Sequence, residues 1–459
     1  TNNVHPFSTL SESDQFSQEF QLIGSAFDDR MSYVAGLFYF QEETENRRSV
    51  SLLGPFSPAI SNLFFLSASS TELRADNEAI AAFAQVEWEF NDNWRTTLGV
   101  RYTDEKRELE RDRFDPDPAT LDANGGFAAP VGGGLYAVNN ATFEYNPNFG
   151  FLPLDTVNDD ISNDDFSPMA SIAYIFDYGD LIDTGSMYLT WSRGFLSGGL
   201  SEAPSGALEE FDPEEVENIE LGIKVDLLDR RLRVNAALFY SDYSDRQLTT
   251  VVINPQTNAP AGATINAEET TIQGFELETT WLPGANWLVN FNMSINDGDI
   301  ETFDDIQLTI GDPSSAPDAG CTRADLSVLL VDSCPNDRSG ENLPRLPEQT
   351  YFLAAQYSLQ TGLGTFIPRV QASLKKDIEY CFDAASCASG RWLEDEQFDL
   401  SARVTWISRD SRWVGAIYGT NLTEEEYFVG GTALIESSGV GGLAYNEPRI
   451  YGAEIEYSF

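Results

Sequence analysis

The sequence predicts an all-β chain folded as a transmembrane antiparallel β-barrel. Three observations lead there. Strand-like segments alternate apolar and polar residues with a period of two, the signature of a sheet with two unlike faces. The connections between them are alternately short and long, as in barrels with short turns on one rim and long loops on the other. The last segment alternates to the terminus itself, with Tyr451, Ala453, Ile455, Tyr457 and Phe459 opposed to Gly452, Glu454, Glu456 and Ser458. An edge strand of a soluble sheet carries the same local pattern, and the connections separate the two readings. No stretch approaches the roughly 18 continuous apolar residues of a membrane-spanning helix.

Taken in order, the pattern places strands near 16–27, 31–43, 78–91, 93–107, 164–178, 184–196, 214–228, 231–248, 270–283, 286–298, 348–361, 366–380, 396–408, 412–428 and 447–459. In 94–103, Trp94, Thr96, Leu98, Val100 and Tyr102 oppose Arg95, Thr97, Gly99, Arg101 and Thr103. In 217–227, Ile219, Leu221, Ile223, Val225 and Leu227 oppose Asn218, Glu220, Gly222, Lys224 and Asp226. Leu232, Val234, Ala236, Leu238 and Tyr240 oppose Arg233, Asn235, Ala237 and Phe239. Phe398, Leu400, Ala402, Val404 and Trp406 oppose Asp399, Ser401, Arg403 and Thr405. These runs of about 12 to 16 residues are long against the usual 5 to 6. Short turns fall at 28–30, 92, 179–183, 229–230, 282–285, 361–365 and 409–411. Long loops fall near 44–77, 108–163, 197–213, 249–269, 299–347, 381–395 and 429–446.

With 74 acidic against 27 basic residues, the net charge of −47 excludes a phosphate backbone as partner, so no nucleic acid is expected. Such an exterior can hold divalent cations, but solvated acidic loops are the plainer reading. Mean hydropathy is −0.28, which a barrel tolerates because only half of each strand is apolar. The 30 Phe, 18 Tyr and 8 Trp suit aromatic girdles as well as a large β core. The cysteines form two close pairs, Cys321 with Cys334 and Cys381 with Cys387, read as loop disulfides of an oxidising compartment. A zinc site is the alternative, weakened because the single histidine, His5, is distant in sequence. No enzyme constellation is found: no Walker loop, GxSxG or HExxH, and the single histidine nearly excludes histidine-based acid–base or triad catalysis. No cofactor is expected.

Parity orients the chain. A C-terminus on the short-turn rim makes the last strand run toward that rim. Counting back through about fifteen strands, the first runs the same way, so the two cannot close antiparallel. The expectation is the C-terminal portion of a longer barrel, entered within a loop at Thr1 to Gln15. No signal segment opens the sequence, which for an exported protein places its start elsewhere.

Several segments resemble the TonB-dependent outer-membrane receptors. They are "WSRGFLSGGL" (Trp191–Leu200), "FDPEEVENIELGIKVDLLDRRLRVNAALFYSDYSDRQ" (Phe211–Gln247), "TIQGFELETTWLP" (Thr271–Pro283), "LPRLPEQTYFLAAQYS" (Leu343–Ser358), "NLTEEEYF" (Asn421–Phe428) and "EPRIYGAEIEYSF" (Glu447–Phe459). "FSQEFQLIG" and "SYVAGLFYFQEE" (Phe16–Glu43) fit an earlier hairpin. Their order and spacing carry the resemblance over nearly the whole chain outside the long loops. It implies a 22-stranded barrel in the bacterial outer membrane, in contact with lipid and lipopolysaccharide. It implies a lumen filled by an N-terminal plug and uptake driven through the TonB complex; neither the plug nor the TonB-contacting segment is in this sequence. The implied solute is a small-molecule ligand such as an iron chelate, with a ferric siderophore foremost. A passive porin of about 16 strands and a surface-binding protein acting through its loops are the alternatives.

Basic and acidic residues on the polar faces cost roughly 2–4 kcal/mol per basic group if turned to lipid. Arg101, Glu220, Lys224, Arg233, Glu276, Glu278 and Arg403 are therefore expected to face the lumen. Arg193 and Phe195 are candidate ligand contacts at a strand top; strict alternation puts Arg193 beside Trp191, above the apolar band or after a bulge. Gly452, Ile455, Tyr457 and Phe459 resemble the signal read by the barrel-assembly machinery.

Overall fold

A computed structural model describes residues 7–51, 68–116, 151–179, 182–202, 208–253, 260–310, 321–325, 330–380, 393–434 and 440–459. Strands β1 (Phe7–Ala26), β2 (Met31–Ser51), β3 (Ala68–Glu89), β4 (Trp94–Pro116), β5 (Phe151–Phe176) and β6 (Ile182–Leu196) are followed by two short ones, β7 (Gly199–Glu202) and β8 (Leu208–Phe211). Then come β9 (Glu214–Leu227), β10 (Leu232–Ile253), β11 (Pro260–Trp281) and β12 (Trp287–Thr302). A second group of short strands is β13 (Asp304–Ile310), β14 (Thr322–Asp325) and β15 (Leu330–Asp337). The chain continues through β16 (Gln349–Tyr357), β17 (Leu359–Thr361), β18 (Gly364–Glu379), β19 (Leu393–Ile407), β20 (Trp413–Thr420), β21 (Phe428–Leu434), β22 (Val440–Tyr445) and β23 (Ile450–Tyr457). No helix occurs among the described residues.

One 16-stranded sheet runs β1-β2-β3-β4-β5-β6-β9-β10-β11-β12-β16-β18-β19-β20-β23, with β17 pairing β18 off this path. Each step is an antiparallel pairing to a sequence neighbour, short side strands aside. The side strands form separate sheets: β7-β8, β13-β15-β14 and β21-β22.

The two faces of the main sheet differ as the alternation requires. Leu189, Leu221, Leu238, Phe275 and Ile295 are directly opposed across five strands. Leu221 and Leu238 keep 45% and 55% of their surface exposed. Exposed apolar side chains recur on β1 (Phe16, Phe20, Leu22), β4 (Leu98, Val100, Tyr102), β20 (Trp413, Ile417) and β23 (Tyr451, Ile455, Tyr457). A continuous apolar face of this extent far exceeds the few hundred Å2 that a soluble monomer presents. Four residues further along, the same face turns polar: Arg193, Glu217, Asp242, Thr271 and Asp299 form the next row but one.

Aromatic contacts mark the short-turn rim. Phe27 packs on Trp88, Trp88 on Phe90, Trp94 on Tyr174, Trp287 on Tyr357, and Trp413 on Tyr457, with centroids 4.6–6.2 Å apart. Each residue lies within a few positions of a short turn. Such rings, apolar in body with a polar edge on Trp and Tyr, suit an interface between hydrocarbon and water. The turns are tight: Phe27, Asp28 and Asp29 are all left-handed, as are Leu228, Asp229 and Arg230. Asn91 Oδ1 accepts from the amides of Asn93 and Trp94, at 2.9 and 3.0 Å, and closes the β3–β4 turn.

The structure corrects the expected boundaries on the opposite rim. Residues 7–15 are strand, not an entering loop, and β2, β3, β4, β5, β10 and β11 run far into the segments expected as loops 44–77, 108–163 and 249–269. In β2, β3 and β4 the reason is that the described extensions, 44–47, 71–77 and 108–113, are mostly polar on both faces, so apolar periodicity ends where the hydrogen-bond ladder continues. Cross-strand ion pairs take over: Arg74 with Glu110 at 2.6 Å and Asp112 at 3.3 Å, and Lys106 with Asp160 at 3.7 Å. Exposed pairs of this kind contribute about 0–1 kcal/mol each. At about 3.3 Å per residue, the 26 residues of β5 rise to more than twice the roughly 25 Å height of a barrel's apolar band. The segments 197–213, 299–347 and 429–446 also hold the side sheets, which alternation alone did not reveal. The strand expected over 412–428 ends at Thr420. There Asn421 takes a left-handed conformation and its amide donates to the carbonyls of Glu425 and Glu447, at 2.8 and 3.1 Å, building a turn. The closing strand begins at Ile450, not 447.

A charge on the apolar face should be rejected while its polar neighbour tolerates change. Leu221→Arg is expected to cost about 2–4 kcal/mol of folding stability in lipid, and Glu220→Gln under about 1 kcal/mol. Urea unfolding of the chain in vesicles measures both.

Candidate functional site

The polar face of β9–β12 and β18–β23 is a network, not a row of independent charges. Arg233 grips Asp226 with two parallel bonds, Nε to Oδ1 at 2.7 Å and a terminal nitrogen to Oδ2 at 2.9 Å. The planar fork of arginine matches a carboxylate in this way. Arg403 binds Glu454 on the closing strand through both terminal nitrogens, at 3.2 and 2.5 Å. Tyr188 donates to Glu220 at 2.6 Å, and Lys224 lies 5.3 Å from the Tyr188 ring centre. Arg101 donates to Thr103 at 2.9 Å and stands 5.3 Å from the Phe38 ring. Glu278 accepts from the Asn235 amide at 3.4 Å, while Glu276 faces Ala237 and Ser294 across the strands and stays exposed.

A recurring device fixes the register of this face. Tyr188 is paired with Gly222, Phe83 with Gly36, Phe239 with Gly274, and Tyr418 with Gly452. In each pair the ring lies over the glycine, so that a Cβ added there would overlap the ring. In two of them a cation stands over the ring: Lys224 at Tyr188, and Arg403 at Tyr418, 5.5 Å away. Sliding a strand by one residue would break the ring–glycine fit and turn the carboxylate partner to the other face.

At the long-loop rim two segments fold onto the sheet. The β7–β8 hairpin is tied down by Gln247, whose amide donates to the carbonyls of Leu196, Ser197 and Asp212 at 3.4, 3.0 and 3.3 Å. Asn266 exchanges bonds with the Asp212 backbone, at 2.9 Å each way. Ser201 accepts from the Thr264 amide at 2.8 Å. The second segment, 338–347, covers β11 and β12. Leu343 and Leu346 pack on Ala267, Ile300, Phe303, Leu248, Ile265 and Ile272 in the one hydrophobic cluster among the described residues. Arg338 is buried beneath it, bonded to Glu341 at 2.8 Å and 5.9 Å from the Phe303 ring. Burial and the neighbouring Glu341 push the Glu379 carboxyl above its ordinary value, opposed by Arg338. Burial also raises Glu394, opposed by the Phe428 amide that donates to it at 3.0 Å.

Arg193 stands at this rim without a bulge, since the β6–β9 register is continuous beyond Thr184. It is half-buried and ion-paired with Glu215 at 2.5 Å, with Asp165 at 3.8 Å. That makes it a strut between strands before it is a ligand contact. Phe195 lies opposite Glu215. Cys321 and Cys334 are joined in a disulfide within the β14–β15 sheet region; Cys381 and Cys387 lie outside the described residues. On the closing strand, Ile455 and Tyr451 point out fully exposed, Tyr457 packs on Trp413 and Phe459, and Gly452 lies under Tyr418. Sequence reasoning missed Gln247, Asn266, Leu343 and Leu346, because their partners are backbone carbonyls or residues far along the chain.

A family model described as TonB dependent receptor-like, beta-barrel matches residues 2–435. Over 255 residues the chain is 29% identical to a probable TonB-dependent siderophore receptor, PiuA, of Acinetobacter baumannii, covering 53% of this chain and 30% of that protein. The ferric yersiniabactin uptake receptor FyuA from Yersinia pestis superposes with a TM-score of 0.68 at 16% identity, over 100% of this chain and 56% of that one. The copper transporter OprC does so with a TM-score of 0.58 at 13% identity, over 98% and 58%. At these identities the structural likeness is one of fold. The chain spans about half the length of these solved relatives.

The ring–glycine device gives a direct expectation. Gly222→Ala should destabilise the fold by about 1–3 kcal/mol through overpacking. In a Tyr188→Ser background the same change should cost less than about 0.5 kcal/mol, measured as a double-mutant cycle by urea unfolding.

Proposed function

Because the chain belongs to the TonB-dependent receptor-like β-barrel family, we propose that it forms the wall of an outer-membrane receptor for active, TonB-driven uptake. The proposed cargo is a scarce, bulky solute, with a ferric siderophore as the substrate class. Family membership carries the uptake reading. Its physical support is a sheet with one apolar face ending in an aromatic rim and one polar, bonded face. The siderophore class draws on the relatives named for siderophore uptake. A relative named for copper shares the fold, so cargo is set by the long-loop rim and not by the wall.

In this reading the polar face lines a hydrated lumen and the apolar face meets lipid and the acyl chains of lipopolysaccharide. TonB is engaged by another part of the receptor. The β7–β8 hairpin and the 338–347 segment stiffen the mouth. The closing strand, with Ile455, Tyr457 and Phe459, is what the barrel-assembly machinery reads.

Uptake of radiolabelled iron by cells expressing the full-length receptor, supplied with a panel of ferric siderophores, tests this. The expected result is saturable uptake of at least one chelate that falls at least tenfold without TonB. Uptake unaffected by TonB, or conductance without saturation, would favour the porin reading.

A further inference from the structure

At the short-turn end of the polar face, β4, β5, β6, β9 and β10 line a cleft of about 530 Å3. Arg95, Ser186, Lys224, Asp226, Arg233 and Asn235 are among its lining residues. Three of the chain's 27 basic side chains therefore meet in one place, in a protein of net charge −47. Two of the three are already neutralised: Arg233 by Asp226, and Arg95 by Glu87 at 3.5 Å and by Glu89. Lys224 differs. Its ammonium faces the Tyr188 ring and makes no ion pair among the described residues. Asp226, two positions along the strand, is held by Arg233. Asn235, directly across from Lys224, already gives its amide to Glu278. Ser186, directly across on the other side, adds a hydroxyl.

We propose that this cleft is an anion site in which Lys224 and the Ser186 hydroxyl bind a carboxylate or phosphate group. An ammonium supplies three donors and no acceptor, and a hydroxyl beside it adds a fourth donor. Charge-assisted bonds of this type are about twice as strong as neutral ones. The neighbouring Arg233–Asp226 pair keeps Asp226 from turning to Lys224, so the ammonium stays available. The anion has two possible sources, a small solute in the lumen or an acidic side chain of a polypeptide segment inserted there. The cleft faces an enclosed lumen only if the sheet closes as proposed above. Its chemistry requires the fold alone, so a failure of uptake and a failure of anion binding are separate results.

The test is calorimetric titration of the detergent-folded protein at low salt with inorganic phosphate and, separately, with a hexaglutamate peptide. Lys224→Met should weaken binding of the effective probe roughly fivefold or more, and Ser186→Ala by a smaller factor. Lys375→Met, on the same face but outside the cleft, should leave binding unchanged. Binding of phosphate alone identifies a free anion as the occupant; binding of the peptide, an inserted acidic segment. Because Ser186→Ala removes a single oxygen, it keeps the test decisive if Lys224→Met fails to fold. Failure of both probes to bind, or binding equally tight in wild type, Lys224→Met and Ser186→Ala, would overturn the proposal.

Discussion

Backbone hydrogen bonding inside an apolar band is the constraint on which the rest of this structure depends. Hydrocarbon offers no partner to an N–H or C=O, and each unsatisfied group costs several kcal/mol there. The antiparallel meander answers by pairing each strand with its sequence neighbour through long ladders, as β4 and β5 do in one register from Trp94–Tyr174 to Arg113–Asp155. Once the backbone is satisfied this way, side chains sort by face. Leucine and isoleucine can be turned outward along whole rows, and charge is confined to the other side. The aromatic residues then mark where the band ends, at the turns.

The polar face shows what such a wall does with its charges. Arg233 and Tyr188 are committed to carboxylates on adjacent strands, Arg403 reaches across β20 to Glu454 on β23, and rings lie over paired glycines. These contacts fix register, which in a sheet of this width is the property most easily lost, because a slip of one residue exchanges the two faces. A wall so bonded leaves few groups free to meet a solute. That is why Lys224 stands out, while at the long-loop rim the hairpin held by Gln247 and the segment capped by Leu343 fold onto the sheet.

Much of this was legible from residue order. Alternation located the fifteen strands of the main path, and the short turns at Asp28–Arg30, Asp229–Arg230 and Arg409–Ser411 were marked by charged, turn-forming residues. The faces of Arg101, Glu220, Lys224, Arg233 and Arg403 followed from the same period. What periodicity did not show were the parts whose logic is not apolar. The extensions of β2 to β5 are strands held by ion pairs such as Arg74–Glu110, with both faces wet, and a period of two in hydropathy disappears there. Asn421 ends β20 through a left-handed turn although apolar residues continue after it. Gln247 and Asn266 bind carbonyls, which no side-chain pattern announces. Arg193, expected as a candidate ligand contact, is paired with Glu215, a partner brought close only by the β6–β9 register.

The central claim is that residues of one strand alternate between lipid and water. Spin labels placed singly at positions 218 to 221, 223 and 224 of β9 in lipid vesicles test it most directly, with accessibility read from oxygen and from a water-soluble nickel complex. The account predicts high oxygen and low nickel accessibility at 219, 221 and 223, and the reverse at 218, 220 and 224. Water accessibility at every position, or no alternation between odd and even sites, would contradict it.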